Sequence, residues 1–215
     1  MARYGMIVDL TICTGCMTCV LSCKQENLTR PGIQWARMLE LENPTLDQVA
    51  YVRQACMHCD DPPCVAACPS KAISKRADGI VLIDQKKCRG SKTCIDACPY
   101  GVPRLNPKED YFKGTAMPYE QKAAPYRIQL AAKASKCTLC AHRVDKGKAP
   151  ACVEGCPSKA LIFGDLDDPN SAIRKKLWQS KQLLAGEGTH PKVSYIISKN
   201  AFRPSEERIL QSSKP

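Results

Sequence analysis

Apolar residues gather along this chain in short runs whose length suits β-strands. Residues 3–10 and 79–84 predict two such strands, and residues 160–164 predict a third. Residues 193–197 form one more apolar run of strand length. The spacing of apolar residues between 173 and 184 predicts an amphipathic helix instead. Together these segments predict an α+β fold built from small elements.

The cysteine content changes this picture. Hydrophobic residues make up 44% of the 215 residues and aromatic residues only 6%, whereas there are 15 cysteines. An odd number of cysteines does not suit a closed disulfide framework, and four of them are crowded between Cys13 and Cys23. Crowded thiolates suit soft metal centres. We therefore expect metal-bound cysteines to replace part of a conventional core.

The cysteines form four blocks, and each block ends in two cysteines separated by three residues. In blocks two, three and four, a proline follows the last cysteine. Block one has Cys13, Cys16, Cys19 and Cys23; block two has Cys56, Cys59, Cys64 and Cys68; block three has Cys88, Ser91, Cys94 and Cys98; block four has Cys137, Cys140, Cys152 and Cys156.

This spacing is typical of bacterial ferredoxins, in which three cysteines of a block hold one iron–sulfur cluster and the fourth reaches a neighbouring cluster. A tetrahedral zinc site is the alternative for a pair of Cys-x2-Cys motifs, and block four taken by itself, with eleven residues between its second and third cysteines, is compatible with one. Repetition of the full spacing favours iron–sulfur clusters over zinc.

Exchange of the fourth cysteines between paired blocks predicts four ligand sets. Blocks two and three are close in sequence and are expected to share one two-cluster module, which leaves blocks one and four for the other. Set one is Cys13, Cys16, Cys19 and Cys156, and set two is Cys23, Cys137, Cys140 and Cys152. Set three is Cys56, Cys59, Cys64 and Cys98, and set four is Cys68, Cys88 and Cys94.

Ser91 stands at the corner of set four where the other blocks have cysteine. A serine hydroxyl is a hard donor and a poor replacement for thiolate. We therefore predict a 3Fe-4S cluster in set four and 4Fe-4S clusters in the other three sets. A complete 4Fe-4S cluster, with serine, water or another group on its fourth iron, is the alternative. The basic residues of this block predict that its cluster has the most positive potential of the four.

The net charge of +11 would suit nucleic acid or an anionic membrane surface. The basic residues are scattered among the cysteine blocks, however, and clusters held by thiolates would offset much of their charge. No apolar stretch approaches the ~18–20 residues of a membrane span. We expect no nucleic-acid binding and no membrane span in this chain.

No arrangement typical of a catalytic site is visible, because the sequence lacks a nucleophile–base constellation and a phosphate-binding loop. His58 and His142 adjoin cysteines and are expected to lie beside clusters or on the surface rather than to bind iron. His190 is expected to be structural. The chain is therefore predicted to transfer electrons without being an enzyme itself.

Several longer motifs accompany the cysteines. They are RYGMIVDL at residues 3–10, HCDDPPC at 58–64, ACPYG at 97–101, KCTLCAHR at 136–143 and GDLDDP at 164–169. With these motifs the chain resembles, over almost its whole length, the four-cluster ferredoxin subunits of molybdopterin-containing respiratory oxidoreductases. The nearest resemblance is to the branch of polysulfide, tetrathionate, arsenate and dimethyl sulfoxide reductases.

The resemblance implies an electron-transfer role in anaerobic respiration. A catalytic subunit with a molybdenum or tungsten bis-pterin cofactor would dock near set one, and an integral membrane, quinone-reactive subunit would lie beyond set four. It also implies a peripheral place at the cytoplasmic membrane, on the outer face through co-export with a twin-arginine partner, with the cytoplasmic face as the alternative. The serine at position 91 is similar to the pattern in the nitrate reductase subunit of this type, which holds a three-iron cluster.

The expected organisation places one module inside the other. Residues 1–50 and 130–198 form the outer module, and residues 51–105 form the inner one. Residues 106–135 are an insertion loop and residues 199–215 a C-terminal tail. The alternative functions are an iron–sulfur subunit of a hydrogenase or formate dehydrogenase complex and a freestanding polyferredoxin.

Overall fold

The computed structural model of the protein describes residues 2–43, 48–109 and 129–197. These ranges contain all 15 cysteines. The predicted C-terminal tail, 199–215, and most of the predicted insertion loop lie outside the described residues.

A four-stranded sheet joins the two ends of the described chain. Its order is β8–β1–β10–β9, with β1 at Tyr4–Asp9, β8 at Leu161–Asp165, β9 at Ser180–Gln182 and β10 at Val193–Ile196. β1 is antiparallel to β8 and parallel to β10. β1 leads into block one and β8 follows block four, so the sheet holds these two blocks side by side. The strands predicted at 3–10, 160–164 and 193–197 are confirmed.

Three antiparallel strand pairs complete the β-structure of the described ranges. They are β2 (Arg37–Asn43) with β3 (Gln48–Gln54), β4 (Ile73–Lys75) with β5 (Val81–Ile83), and β6 (Arg104–Leu105) with β7 (Ala134–Ser135). The pair β4–β5 lies between blocks two and three, and β5 confirms the strand predicted at 79–84. The sequence pattern did not predict the pair β2–β3. The pair β6–β7 joins the two ends of the segment predicted as an insertion.

Six short α-helices separate the strands in the part of the chain that the structure describes. They are α1 (Thr18–Asn27), α2 (Pro63–Ala66), α3 (Thr93–Asp96), α4 (Ala141–Val144), α5 (Ala151–Glu154) and α6 (Ala172–Lys176). The helix of block one, α1, packs against the helix of block four, α5, and those of blocks two and three, α2 and α3, pack against each other. No helix in these ranges has the length and apolar character needed to cross a membrane.

The helix predicted at 173–184 is wrong beyond its first turns. α6 ends at Lys176, a 3-10 turn covers Leu177–Gln179, and β9 follows and pairs with β10. The apolar residues of this segment are divided between two environments: Ile173 is fully buried under the sheet, whereas Leu183 reaches the main core after β9. Strand pairing with β10 therefore replaced the continuous helix that the spacing favoured.

Alternation along β1 separates two parts of the core. Met6 and Val8 belong to the main cluster of buried residues, which also contains several cysteines. Ile7 points to the other face, where it packs with Ile173 and Leu166. This period of two is the one expected of a strand buried on both faces. One side of the sheet therefore faces the cysteine blocks, and the other is closed by α6.

Candidate iron–sulfur centres

Each block opens with the same backbone turn. The residue just before the second ligand position has a positive φ in all four blocks: 69° at Gly15, 45° at His58, 73° at Gly90 and 52° at Leu139. In blocks two, three and four this residue donates its N–H to the sulfur of the first cysteine at 3.3–3.5 Å. Such hydrogen bonds stabilise thiolate. The loops are thus shaped to present sulfur and backbone donors together.

The third and fourth cysteines of each block are four residues apart at a short helix. Residues i and i+4 lie on one helix face, about 6 Å apart along the axis. In α1, for example, Cys19 belongs to set one and Cys23 to set two. One helix can therefore present a thiol to each of two neighbouring centres.

Set one gathers beyond the end of β1. Burial raises the pKa of the Cys13 thiol, and the charges of Cys156 and Cys16 raise it further. Burial also raises the pKa of Cys19, which faces Cys13 and Cys156. Cys16 is exposed, and a hydrogen bond with the Thr18 hydroxyl lowers its pKa. The structure brings together all four cysteines predicted for this set.

Set two lies deeper in the molecule. Burial raises the pKa of Cys23 well above its ordinary value, and the charges of Cys137, Cys152 and Cys140 add to this effect. Burial raises the pKa of Cys137 to about 12. The Asn27 amide nitrogen lies 3.6 Å from Cys23 Sγ and 3.7 Å from Cys140 Sγ. All four predicted cysteines are neighbours here too.

Set three surrounds a cavity. Burial raises the pKa of Cys59 and of Cys64 to about 12, with the charge of Cys56 adding to both, and Cys98 lies beside them. These four cysteines line a small cavity of about 20 Å³. The rest of its lining is mainly apolar side chains and prolines, with Lys136 as the charged exception. The cavity is thus a mainly apolar chamber with sulfur on several sides.

Set four brings together three thiols. Burial raises the pKa of Cys94 to about 11, and the charges of Cys88 and Cys68 raise it further. Burial favours the neutral thiol of Cys68 as well, but hydrogen bonds from Ser70 and from the Ala72 N–H outweigh burial and lower its pKa. The three cysteines predicted for this set are therefore neighbours.

Ser91 takes the same place in block three that Cys16 takes in block one. Ser91 is exposed, and its hydroxyl lies 3.1 Å from Thr93 Oγ1. In block one, Cys16 Sγ lies 3.4 Å from Thr18 Oγ1. The two loops therefore share a threonine contact as well as a spacing, so a thiol at position 91 would have the setting of Cys16.

The four sets follow one another in space. Cys19 of set one and Cys152 of set two belong to one cluster of buried residues. Cys56 of set three packs against the cluster that contains Cys137 of set two. Cys64 of set three and Cys94 of set four share a third cluster. The order along this path is one, two, three, four.

The three histidines differ in their surroundings. His58 is fully buried: the Val81 N–H donates to its Nδ1 at 3.1 Å, and burial, with nearby cations, holds its pKa well below the ordinary value. The surface position considered for His58 is therefore wrong. His142 Nε2 contacts Glu26 at 2.7 Å, and His190 lies 3.8 Å from Asp61 near the surface.

Sequence analysis predicted no role for three polar side chains that lie near the sulfur atoms. Arg53 reaches Cys152, Asn27 reaches Cys23 and Cys140, and buried Lys136 donates to the Val81 and Cys137 carbonyls. Each is within four residues of a cysteine along the chain. That proximity was the available signal, but it does not tell which way a side chain points.

The donor set fits iron–sulfur clusters. All 15 cysteines lie in the described ranges and none forms a disulfide. In the same ranges, no three His, Cys, Asp or Glu side chains are placed to hold a single metal ion. Within the described structure, Trp35 Nε1, Arg53 Nε and His58 Nε2 are buried without a hydrogen-bond partner. Buried N–H groups need acceptors, and Trp35 packs directly on cysteines of set two. Cluster sulfur would suit these donors.

Comparison with known proteins identifies the family. Residues 12–72, 47–122 and 112–166 match domains described as 4Fe-4S dicluster domains. The chain is 38% identical to the arsenate respiratory reductase iron–sulfur subunit of Shewanella sp. ANA-3, with 91% of this chain and 97% of that protein covered. It is 37% identical to a putative dimethyl sulfoxide reductase iron–sulfur subunit of Halobacterium salinarum, with 99% and 86% covered.

A third relative is a tetrathionate reductase subunit of Salmonella typhimurium, which is 37% identical, with 93% of this chain and 74% of that protein covered. These relatives confirm the resemblance drawn from the sequence motifs. The chain belongs to the 4Fe-4S dicluster family, in the branch that contains the iron–sulfur subunits of arsenate and dimethyl sulfoxide reductases.

Proposed function

We propose that this chain is the electron-transfer subunit of a respiratory reductase, carrying single electrons between a molybdopterin catalytic subunit and a quinone-reactive membrane subunit. The observation that carries the proposal is the continuous order of the four cysteine sets, linked by the packing of Cys19 with Cys152, Cys137 with Cys56, and Cys64 with Cys94 in shared buried clusters. A path of this kind serves transfer across the protein rather than chemistry at one place.

The cysteines proposed as ligands are those of the four predicted sets. Sets one to three would each hold a 4Fe-4S cluster and set four a 3Fe-4S cluster, with Ser91 at the open corner. When bound, these clusters each accept and release one electron. The thiol chemistry and the hydrogen bonds donated to sulfur support this assignment.

The nested arrangement of two ferredoxin-like modules is part of the proposal. The packing of α1 on α5, and of α2 on α3, supports pairing block one with block four and block two with block three. The pairing of β1 with β8 supports the outer module, and β4 with β5 supports the inner one. The outer module is drawn from residues 1–50 and 130–198 and the inner one from 51–105.

The protein's own residues shield the cysteines of the path from water. Most of the cysteines of sets two and three are buried, and the main core packs around them. Burial keeps water from the sulfur atoms, while N–H groups from the loops and from Asn27 supply the polar contacts that water would otherwise make. This environment favours retention of iron and limits proton transfer at the thiolates.

Set one lies at the end of the path that suits the catalytic partner. Cys16 is exposed, and three apolar side chains around it are exposed as well: Ile12 by 42%, Met17 by 52% and Leu21 by 65%. Such side chains, grouped beside a redox centre, are suited to burial against another protein. We propose that this apolar rim docks the molybdenum or tungsten subunit.

Set four lies at the other end, where Lys86, Lys87, Arg89 and Lys92 are exposed around Ser91. We propose that this end meets the membrane subunit, which places the chain peripherally at the cytoplasmic membrane. Export together with a twin-arginine partner would place it on the outer face. The basic residues also support the expectation that this centre has the most positive potential.

Affinity purification of the intact complex under anaerobic conditions tests the function. Tagged chain should bring down a larger subunit together with molybdenum or tungsten, and the chain itself should contain iron and acid-labile sulfide. Iron-replete chain without any molybdenum or tungsten partner would contradict the assignment and favour a freestanding polyferredoxin.

Two variants locate the docking surface. Met17→Glu combined with Leu21→Glu should reduce the recovered molybdenum or tungsten by about tenfold or more, because each apolar side chain contributes about 1.5–3 kcal/mol when buried. Trp178→Glu is the matched control, since Trp178 is 81% exposed but lies in the turn after α6. Equal loss in both variants would argue against the proposed rim.

A further inference from the structure

Arg53 is a buried cation in the middle of the cysteine sets. It lies in β3, and only 2% of its surface is exposed. Its Nη2 lies 3.5 Å from Cys152 Sγ and its Nη1 lies 3.5 Å from Met6 Sδ. Tyr195 holds the backbone, because its hydroxyl donates to the Arg53 carbonyl at 3.1 Å. The side chain is thus held by packing and by the contacts of its guanidinium with two sulfur atoms.

Among the described residues, no carboxylate balances this charge. Across those ranges, Arg53 forms no ion pair with Asp or Glu, and its Nε has no hydrogen-bond partner. A buried, unpaired guanidinium is costly, so arginine in a core normally has an anion beside it. The groups that can supply negative charge here are sulfur atoms.

Arg53 lies beside two sets: its guanidinium contacts Cys152 of set two, and Cys19 of set one belongs to the same buried cluster as Cys152. Burial would lower the pKa of Arg53, but the charges of Cys152, Cys137, Cys19 and Cys23 outweigh burial and raise it. Cys19 belongs to set one, and the other three belong to set two. One cation is therefore shared by two neighbouring centres.

We propose that Arg53 is the common counter-ion of the first two centres and holds the reduction potentials of both at more positive values. This inference rests on the ligand sets proposed above. Reduction of a cluster held at either centre would add one electron, so that centre would become more negative by one charge. A fixed cation in a poorly solvated core stabilises that reduced state.

Because Arg53 lies beside thiols of both sets, its removal should lower the reduction potentials of both centres. The centres of sets three and four should move less, because the cysteine that the guanidinium contacts belongs to set two. Arg53 therefore acts by placing a positive charge beside the centres, and it does not contact a substrate.

The test uses the full chain, purified without oxygen. In Arg53→Met the ratio of reduced to oxidised centre at a fixed potential should fall by about tenfold in sets one and two, which corresponds to 59 mV for one electron. Arg53→Lys should keep most of the wild-type ratio, since it retains the charge. Redox titration followed by low-temperature EPR measures each centre separately.

Arg37→Met is the matched control. Arg37 lies on the paired strand β2, and its guanidinium donates to Gln54 at 2.7 Å rather than to sulfur. This variant removes one positive charge from the same strand pair and should leave all four potentials unchanged. An equal shift in Arg37→Met would mean that net charge, and not the position of Arg53, sets the potentials.

Iron and acid-labile sulfide are measured before each titration. Unchanged potentials of the first two centres in an iron-replete Arg53→Met chain would overturn the inference while leaving the electron-transfer function intact. If Arg53→Met does not take up iron, Arg53→Lys tests the inference instead. Wild-type potentials in Arg53→Lys would support a role for the charge, and a tenfold fall in the ratio of reduced to oxidised centre would contradict it. Failure of both variants to take up iron would make Arg53 a structural residue and also overturn the inference. A wild-type chain without iron or sulfide would remove the proposed function itself.

Discussion

Replacement of Ser91 by cysteine is expected to convert the centre of set four from a three-iron to a four-iron cluster. The structure supplies the reason, because the loop around Ser91 repeats the loop around Cys16. Gly15 and Gly90 both have positive φ, at 69° and 73°, and a threonine follows two residues after the ligand position in each block. A thiol at position 91 would therefore meet a backbone already shaped for ligation.

The expected cost to folding is small. Ser91 is exposed, and the hydrogen-bonding contact that its side chain makes is with the Thr93 hydroxyl at 3.1 Å. Exposed substitutions usually change the free energy of unfolding by about 0.5 kcal/mol or less. Iron content should rise from about fifteen to about sixteen atoms per chain, since one corner is added to one cluster and the rest stay complete.

Iron quantitation and low-temperature EPR of the oxidised protein measure this change. Wild-type chain should give the signal of an oxidised three-iron cluster, and Ser91→Cys should lose it. Ser158→Cys is the control, because Ser158 lies 3.6 Å from Cys156 Sγ but occupies no ligand position; it should keep the signal. Absence of the three-iron signal from the wild-type chain, with sixteen iron atoms already present, would refute the reasoning and favour a serine- or water-capped cluster.

Three further predictions concern the scaffold. Gly15→Ala should speed iron loss to a chelator, because alanine at positive φ costs about 1–2 kcal/mol and its Cβ would overlap the Tyr51 ring. Adding Tyr51→Ala should remove the overlap but leave the backbone strain. The Arg76 guanidinium donates to Asp145 and lowers the pKa of this carboxyl in the folded protein. The pair therefore contributes to folding stability above the ordinary carboxyl pKa, and this contribution is lost as the pH falls through the lowered pKa of the folded state. Asp145→Asn should therefore destabilise by less than about 1 kcal/mol at neutral pH, and the difference from wild type should vanish in acid denaturation curves. Ile173→Ala should lower stability to denaturant by about 2–5 kcal/mol without changing iron content, because Ile173 is buried on the sheet face away from the cysteines; parallel loss of iron would contradict that separation.

The cysteine pattern was readable because iron–sulfur ligation is encoded locally. A loop of fixed length must place consecutive thiols around one centre, so the spacing from Cys13 to Cys19 indicates the chemistry without any tertiary information. Strand β1 was equally predictable from the sequence, since its apolar run is continuous and ends at block one. The branch of the family followed from motifs that lie beside these blocks.

Long-range contacts decided the rest. Nothing local to Ile173 and Leu183 distinguishes a continuous helix from a short helix followed by a strand; the availability of β10 as a pairing partner settled it. The direction of Arg53 was also beyond the sequence, because a lone arginine in a strand is usually solvated, and only the packing of β3 against blocks one and four turns it toward sulfur. Local spacing thus determined which residues could bind iron, whereas the meeting of distant segments determined the order of the sets and the charge between them.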